Sequence, residues 1–267
     1  MVLAITNRCQ MQCPHCLNDC ENEGHDITLE TLDRIIEFIN HPELRFRVIL
    51  VGGGEPSEHP QLFEILDRLY ETNNPNKWGE KKAFVLATNA MFLNADEVEG
   101  EYRKAKDFSD RLLGYKDLMI QISADPRFYK TKINERNLKY LQKKGRNMVK
   151  VERSISLLSR YGRALQNAMP AMDIRNSPFC FNTRSVTTHG YSFPKTVEFL
   201  EAVKHKFCAI SFDMHGNIRI SESLTCMPVG TVDSAHKELE ASIKNMKCHK
   251  CSPFANLSPI HKKAIGL

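Results

Sequence analysis

FRVILVGGGEP, residues Phe46 to Pro56, joins a run of strand-forming residues to three consecutive glycines, a carboxylate and a proline. The pattern predicts a strand over Phe46 to Val51 and an abrupt strand-to-helix turn, since glycine serves any position that needs positive φ. The same alternation repeats outward from it. Before it, Val2 to Thr6 reads as a strand, and Thr28 is placed to cap a helix reaching about Asn40, with Leu29, Leu32, Ile35, Ile36 and Ile39 at helical spacing. After it come a helix from about Pro60 to Glu71 and a strand from Ala83 to Ala87 that ends at Thr88 and Asn89. A charged helical segment from Asp96 to Lys116 leads to a strand from Leu118 to Ser123, ending near Asp125. A helix over Ile133 to Lys144 and a fifth strand over Met148 to Leu158 complete the series. Repeated β-α units imply a parallel sheet with helices outside it, and sites in such sheets form where strands end and loops begin.

Beyond Tyr161 the alternation fails. Arg160 to Arg184 carries Gly162, Pro170 and Pro178 among scattered polar residues and reads as an irregular connection. The tail is expected to hold a helix over Thr196 to His205 and a hairpin of Phe207 to Asp213 with Ile218 to Ile220, turning through His215, Gly216 and Asn217. A last helix is expected over Ala235 to Met246. The organisation is therefore read as 1–160, a connection over 161–206 and a small unit over 207–267.

A chain of 267 residues can bury a full core without help from its cysteines. The net charge of +5 suits an anionic substrate or an ordinary solvated surface, and no basic stretch is interleaved with aromatics, so a nucleic-acid partner is not expected. No run approaches the roughly 20 apolar residues of a membrane span, and MVLAITNRC does not read as a signal peptide. A cytoplasmic protein with no membrane partner is the expectation. Nine cysteines in a reducing compartment argue for metal ligands or catalytic thiols rather than a disulfide framework.

Cys9-Gln-Met-Gln-Cys13-Pro-His-Cys16 puts three thiols on one loop directly after the first strand. Three thiolates hold three irons of a cubane 4Fe-4S cluster and leave the fourth open to a ligand. The rival is a structural zinc loop, which CPHC alone suits. Such sites normally want four ligands in paired knuckles, and Cys20 breaks that pairing. His15 is a further ligand candidate, crowded by Pro14 and Cys16.

A CX3CX2C loop after the first strand, followed by GGGEP at the end of the second, resembles the radical S-adenosylmethionine (SAM) superfamily. The resemblance implies a partial (β/α)6 TIM-like barrel with a small C-terminal hairpin and helix unit, an α/β fold class. It also implies S-adenosylmethionine as a cofactor on the open iron, a reductant such as flavodoxin or ferredoxin, and production of a 5′-deoxyadenosyl radical. By resemblance Gly53, Gly54, Glu55 and Pro56 hold the methionine amine, and the fourth strand supplies ribose contacts, here Ser123 and Asp125. Thr88 and Asn89 end at the same mouth of the sheet, and Asp125 before Pro126 also suits a plain turn. Arg153, if it faces inward on the fifth strand, needs an anion such as the cofactor carboxylate; facing outward it is a surface charge.

Cys208, Cys226, Cys248 and Cys251 are enough to close a second 4Fe-4S cluster or a zinc site. With a hairpin containing Asp213 and Gly216 between the first two and a CxxC at the end, this tail resembles the Twitch domain, the shortened relative of SPASM. It is most similar to dehydrogenases of the type that oxidise 2-deoxy-scyllo-inosamine. Tyr161-Gly162-Arg163-Ala164 resembles a segment that often precedes such tails, and Arg160, Arg163, Arg175 and Arg184 face either an anionic substrate or solvent. The reaction implied is a two-electron oxidation in which the auxiliary cluster takes an electron, with a small-molecule substrate, or alternatively crosslinking of a peptide. The cysteine loop begins almost at residue 1, which favours the small molecule. Cys20 and Cys180 read as packed residues, with Cys180 also placed as a ligand or hydrogen donor.

Overall fold

The computed structural model describes residues 1–75, 79–94, 101–129, 132–153, 163, 192–202, 209–221, 223–224 and 226–245, without the side chains of 101–103, 199 and 202. β1 (Val2–Thr6), α1 (Leu29–Ile39), β2 (Val48–Gly53), α2 (Leu62–Glu71), β3 (Ala83–Thr88), α3 (Glu101–Leu113), β4 (Leu118–Ser123), α4 (Glu135–Gly145) and β5 (Val149–Glu152) form the expected series. α5 (Phe193–Ala202), β6 (Ile210–Phe212), β7 (Asn217–Ile220), β8 (Gly230–Thr231) and α6 (His236–Asn245) follow. All eight strands lie in one sheet, ordered β5-β4-β3-β2-β1-β6-β7-β8. The strands from β5 across to β6 are parallel to their neighbours, and β7 and β8 are antiparallel. The α/β class with a parallel core is as the sequence implies, and the sheet is open rather than a closed barrel.

Register explains which face is the core. Leu3, Val51, Leu86, Ile120 and Val149 stand side by side across five strands, all buried. Helices cover this row: α1 buries Leu32, Ile35, Ile36, Phe38 and Ile39, and α2 buries Leu62, Ile65, Leu66 and Leu69. Each such side chain contributes about 1.5–3 kcal/mol relative to exposure. One residue earlier on each strand lies the opposite row, Val2, Leu50, Val85 and Met119, and it is incompletely covered, with Met119 43% exposed. That alternation leaves a hollow on the face away from the helices.

Local signals set the element ends. The Thr28 hydroxyl accepts the Thr31 amide at 3.1 Å, and the Asn134 side chain accepts the Arg136 and Asn137 amides at 3.0 and 3.2 Å, capping α1 and α4. Strand β2 starts and ends two residues later than the apolar run predicts, because the ladder continues into Gly52 and Gly53. α2 begins at Leu62, preceded by a 3-10 turn over Pro56–Glu58. α5 starts three residues earlier than expected, at Phe193, whose buried ring packs in the core. The fifth strand is described only to Glu152, and the proposed continuation to Leu158 lies outside the described residues, as does most of the 161–206 connection.

The hairpin does not build a sheet of its own. β6 takes the free side of β1, pairing Ser211 with Val2 and Phe212 with Leu3, so the tail shares the core's sheet. Leu3, Ala4 and Ile5 are all buried, which requires a central position for β1. At the hairpin turn, Asp213 accepts the amides of His215 and Asn217 at 2.9 and 3.0 Å, the Asn217 side chain at 2.9 Å and Arg219 Nη1 at 2.5 Å. Gly216, at φ 75, supplies the left-handed position of the turn. Arg219 also donates to the Cys226 carbonyl at 2.7 Å. β8, two residues long, carries too little pattern to be read from sequence.

Burial acts to raise the Asp213 carboxyl, but hydrogen bonds from Asn217 and Arg219 and the charge of Arg219 outweigh it and hold the group below the ordinary range. Its contribution is therefore complete above the unfolded value of about 4 and is lost as pH falls through the lower folded value. Asp213→Ala strands the Arg219 charge in the interior. We expect a loss of about 3–5 kcal/mol in urea melts at neutral pH, shrinking in acid below about pH 4.

Candidate active site

In the segment between β1 and α1 the two limbs pair with each other, Thr6 bridging Asp26 and Arg8 bridging Glu21, while the stretch from Gln10 to Asp19 carries fewer bonds of its own. The Cys9 amide donates to the Glu21 carbonyl at 2.7 Å, Glu21 to Asn7 at 3.2 Å, and Cys16 to Cys13 at 3.1 Å. Its link to the glycine run is tighter. Gly54 donates to the Thr6 carbonyl at 2.6 Å and Glu55 to the Arg8 carbonyl at 2.8 Å. A Cβ on Gly53, which sits at φ 106, would lie 2.4 Å from the Thr6 oxygen, and one on Gly54 would lie 2.0 Å from the Arg8 oxygen. The glycines are thus required by the loop passing over them, and the Gly54 amide is used on the Thr6 carbonyl rather than left for a ligand.

Glu55 anchors the next strand. Only 1% exposed, its carboxylate accepts Ser57 N and Oγ at 3.0 and 2.6 Å, Thr88 Oγ1 at 2.6 Å and the Asn89 amide at 2.7 Å. Burial pushes this carboxyl up, and the four donors work against that. Asn89 Nδ2 reaches Cys9 Sγ at 3.7 Å, so Cys9, Glu55, Thr88 and Asn89 form one connected group. Pro56 is buried behind it at the first position of the 3-10 turn.

Cys9, Cys13, His15, Cys16, Gly53, Gly54, Glu55, Thr88, Asn89 and Ser123 all line one cavity of about 290 Å³ at the C-terminal ends of the strands. Pro56 and three further sequence candidates, Asp125, Arg153 and Cys226, do not line it. Asp125 is fully buried, bound by Arg127 Nη2 at 2.5 Å and Nε at 2.9 Å, and accepts the Arg127 amide at 3.0 Å. It shapes the turn after β4 and does not line the cavity. Arg153 lies just past β5, 58% exposed, pairing with Glu135 at 3.0 Å. With Lys132 it borders an adjoining hollow that shares Met11, Asn89, Ser123 and Tyr129 with the cavity. Cys226 packs against the core, while Cys180, Cys208, Cys248 and Cys251 lie outside the described residues.

The donor set suits a cluster better than a single ion. Thiolates on one tetrahedral zinc sit about 3.8 Å apart, given bonds of about 2.3 Å. Among the described residues the one trio of metal-ligand atoms all within 4.8 Å of one another is His41, Glu43 and His236, and the three thiols are spread wider. That trio is a surface contact: His41 Nδ1 accepts the Glu43 amide at 3.3 Å and His236 Nδ1 meets Glu43 at 3.5 Å. A cubane that gives each thiolate its own iron calls for the wider spacing. His15 Nδ1, buried in the lining beside the thiols, has no hydrogen-bond partner, as expected for a group that faces a bound molecule. Cys9, Cys13 and Cys16 therefore fit a 4Fe-4S cluster.

The thiols are not equivalent. A hydrogen bond from the Cys20 thiol lowers Cys16 to about 6, whereas burial and the neighbouring sulfurs push Cys13 up to about 12, and burial raises Cys9. Metal entry must displace protons from Cys9 and Cys13. Cys20, read from sequence as a packed residue, is buried, its Sγ also 3.4 Å from the Gly53 carbonyl. His15 rests against Phe128 and Tyr129, with ring centroids 4.5 and 5.3 Å away, and burial lowers it to about 4, so it stays neutral. Sequence reasoning missed Met11, Asn18 and Tyr129 in the lining. Only the position of Tyr129, four residues after Asp125, hinted at the last.

Comparison with known proteins agrees with this geometry. No curated protein matches the chain in sequence. Streptococcus suis SuiB bound to precursor peptide SuiA is similar in structure at 11% identity and a TM-score of 0.56, over 92% of this chain and 66% of that one. This chain thus spans just under two thirds of that neighbour. anSMEcpe with bound AdoMet and Cp18Cys peptide gives 14% identity and a TM-score of 0.49, over 95% of this chain and 86% of that one. BtrN in complex with AdoMet and 2-DOIA gives 11% and 0.49, over 92% and 82%. At such identities the SuiB match shows a shared fold and nothing more. The family model described as the Radical SAM superfamily matches residues 3–162, the span that carries the cysteine loop, the glycine run and all five β-α strands. The chain belongs to the radical SAM superfamily.

Proposed function

We propose that this enzyme takes a hydrogen atom from a carbon of its substrate and completes a net two-electron oxidation. The observation that carries the reading is the shared cavity: three cluster-type thiols and the Gly52–Glu55 turn line it together at one end of a parallel sheet. When bound there, the 4Fe-4S cluster and S-adenosylmethionine supply a 5′-deoxyadenosyl radical, with flavodoxin or ferredoxin as electron source. Cys9, Cys13 and Cys16 hold the cluster. The Gly53 to Pro56 turn would receive the methionine end, with Glu55 fixed by Thr88 and Asn89, and Ser123, Tyr129 and His15, which line the same cavity, would be available to the adenosine part. Arg153 and Lys132, at the adjoining hollow, suit an anionic group on the cofactor or substrate.

For a carbinol substrate the balance is direct. The hydrogen atom would leave from carbon and the hydroxyl proton to solvent, and Cys208, Cys226, Cys248 and Cys251 would hold an auxiliary cluster able to accept the remaining electron, giving a ketone. Support for an acceptor near the radical site comes from the Cys226 segment. Ser223 Oγ donates to the Leu17 carbonyl at 2.6 Å and the Leu224 amide to Asn18 Oδ1 at 3.0 Å, so this segment starts from the loop that carries Cys16. A small molecule is the proposed substrate. Peptide crosslinking is the second reading, favoured by the fold shared with SuiB, whose structure contains the precursor peptide SuiA.

Anaerobic reconstitution of the chain is expected to give about 8 irons per chain, for two cubane clusters, and cleavage of S-adenosylmethionine on reduction. Stoichiometric zinc without cleavage would sink the reading and leave a zinc-stabilised binding module. Cys13→Ala should abolish cleavage. Cys226→Ala should lose about half the iron and retain cleavage while substrate turnover stops; normal turnover in this variant would make the tail site structural.

A further inference from the structure

Arg163 stands about 150 positions from the cysteine loop and converges on it. Its Nε pairs with Asp19 Oδ1 at 2.8 Å, Nη1 donates to the Cys13 carbonyl at 3.3 Å, Nη2 donates to the Cys20 carbonyl, and its own amide donates to the Cys16 carbonyl at 3.0 Å. The side chain is 17% exposed. Rather than belonging to a basic surface group, this arginine faces inward and binds the backbone beside three of the loop's four thiols.

The loop needs such a brace. Its stretch from Gln10 to Asp19 carries fewer bonds of its own than the paired limbs on either side, and Gln12 and Asp19, each immediately before a cysteine, lie at φ 44 and 55. A left-handed position for such residues costs about 1–3 kcal/mol and persists only when neighbours hold it. Asp19 is held by Arg163. A lysine has no fork with which to reach Asp19 and two carbonyls at once.

We propose that Arg163 is a positioning residue for the cysteine loop, bracing its backbone and setting a cation beside the thiolates that favours the reduced cluster. This rests on the cluster reading. Three thiolates on a cubane core leave the loaded site net anionic, and reduction adds another negative charge, so a nearby partly buried cation stabilises the reduced form more. Asp19 offsets part of that charge, but it meets Nε, while Nη1 and Nη2 point toward the cysteine carbonyls.

The test uses the full chain with Arg163→Gln and Arg163→Lys beside the wild type. In the metal-free protein, amide hydrogen exchange over 13–20 should quicken by about tenfold or more in the Gln variant, the equivalent of one lost charge-assisted hydrogen bond. In the loaded protein, the cluster whose spectrum responds to S-adenosylmethionine should titrate at a more negative potential in the Gln variant and return toward wild type in the Lys variant. Unchanged exchange overturns the brace, and an unchanged potential overturns the cation's role. If the Gln variant does not fold, the Lys variant still decides: wild-type exchange in it would overturn the need for a fork. A wild type that takes up no iron would defeat the cluster reading instead, and the metal-free comparison would still judge the brace.

Discussion

The amide of Gly54 donating to the carbonyl of Thr6 is the bond on which the site depends, because it fixes the end of one strand against the start of the cysteine loop. At 2.6 Å, with the Glu55 bond to Arg8 beside it, the loop is pressed onto the glycine turn so closely that neither Gly53 nor Gly54 has room for a Cβ. Glu55 then carries the constraint sideways into Thr88 and Asn89, and Asn89 returns it to Cys9. Cys9, at the start of the loop, is therefore located by backbone and carboxylate contacts among β1, β2 and β3. Such preorganisation lowers what metal binding must otherwise spend on ordering the loop.

What was legible in the sequence follows from how local each signal is. Strands and helices of the first half could be read because their apolar residues recur at fixed periods, and the parallel sheet followed from the alternation. The cavity could be read because CX3CX2C and GGGEP each end a strand. Asp125 was ambiguous for a physical reason: the residue that decides its role is Arg127, and a short-range ion pair at a turn looks the same in sequence as a polar ligand. Arg153 depended on whether the strand ran to Leu158. The roles of Glu55 and Arg163 were the least visible. Both act through contacts with residues 33 and about 150 positions distant, which composition and spacing do not encode.

The chemistry of the loop reflects a balance between burial and partnership. Burial raises Cys9 and Cys13, and a single thiol hydrogen bond from Cys20 is enough to bring Cys16 the other way. His15 is kept neutral by burial among Phe128 and Tyr129, so its ring presents an uncharged face and an unpartnered Nδ1 to the same cavity. Among the described residues the lining holds thiols, a neutral imidazole, a phenol and the fully bonded Glu55 but no lysine or arginine, which suits a cofactor that brings its own charges.

The tail is joined to this arrangement through β1. One joint is the sheet itself: β6 pairs with Val2 and Leu3, whose strand runs directly into the cysteine loop. The other is the contact of Ser223 and Leu224 with Leu17 and Asn18, on the far side of the same loop. Asn18 in turn donates to the Gly53 carbonyl at 3.1 Å. The hairpin, the loop and the glycine turn are thus three parts of one bonded frame, and a displacement of the tail has no path that avoids the cysteines.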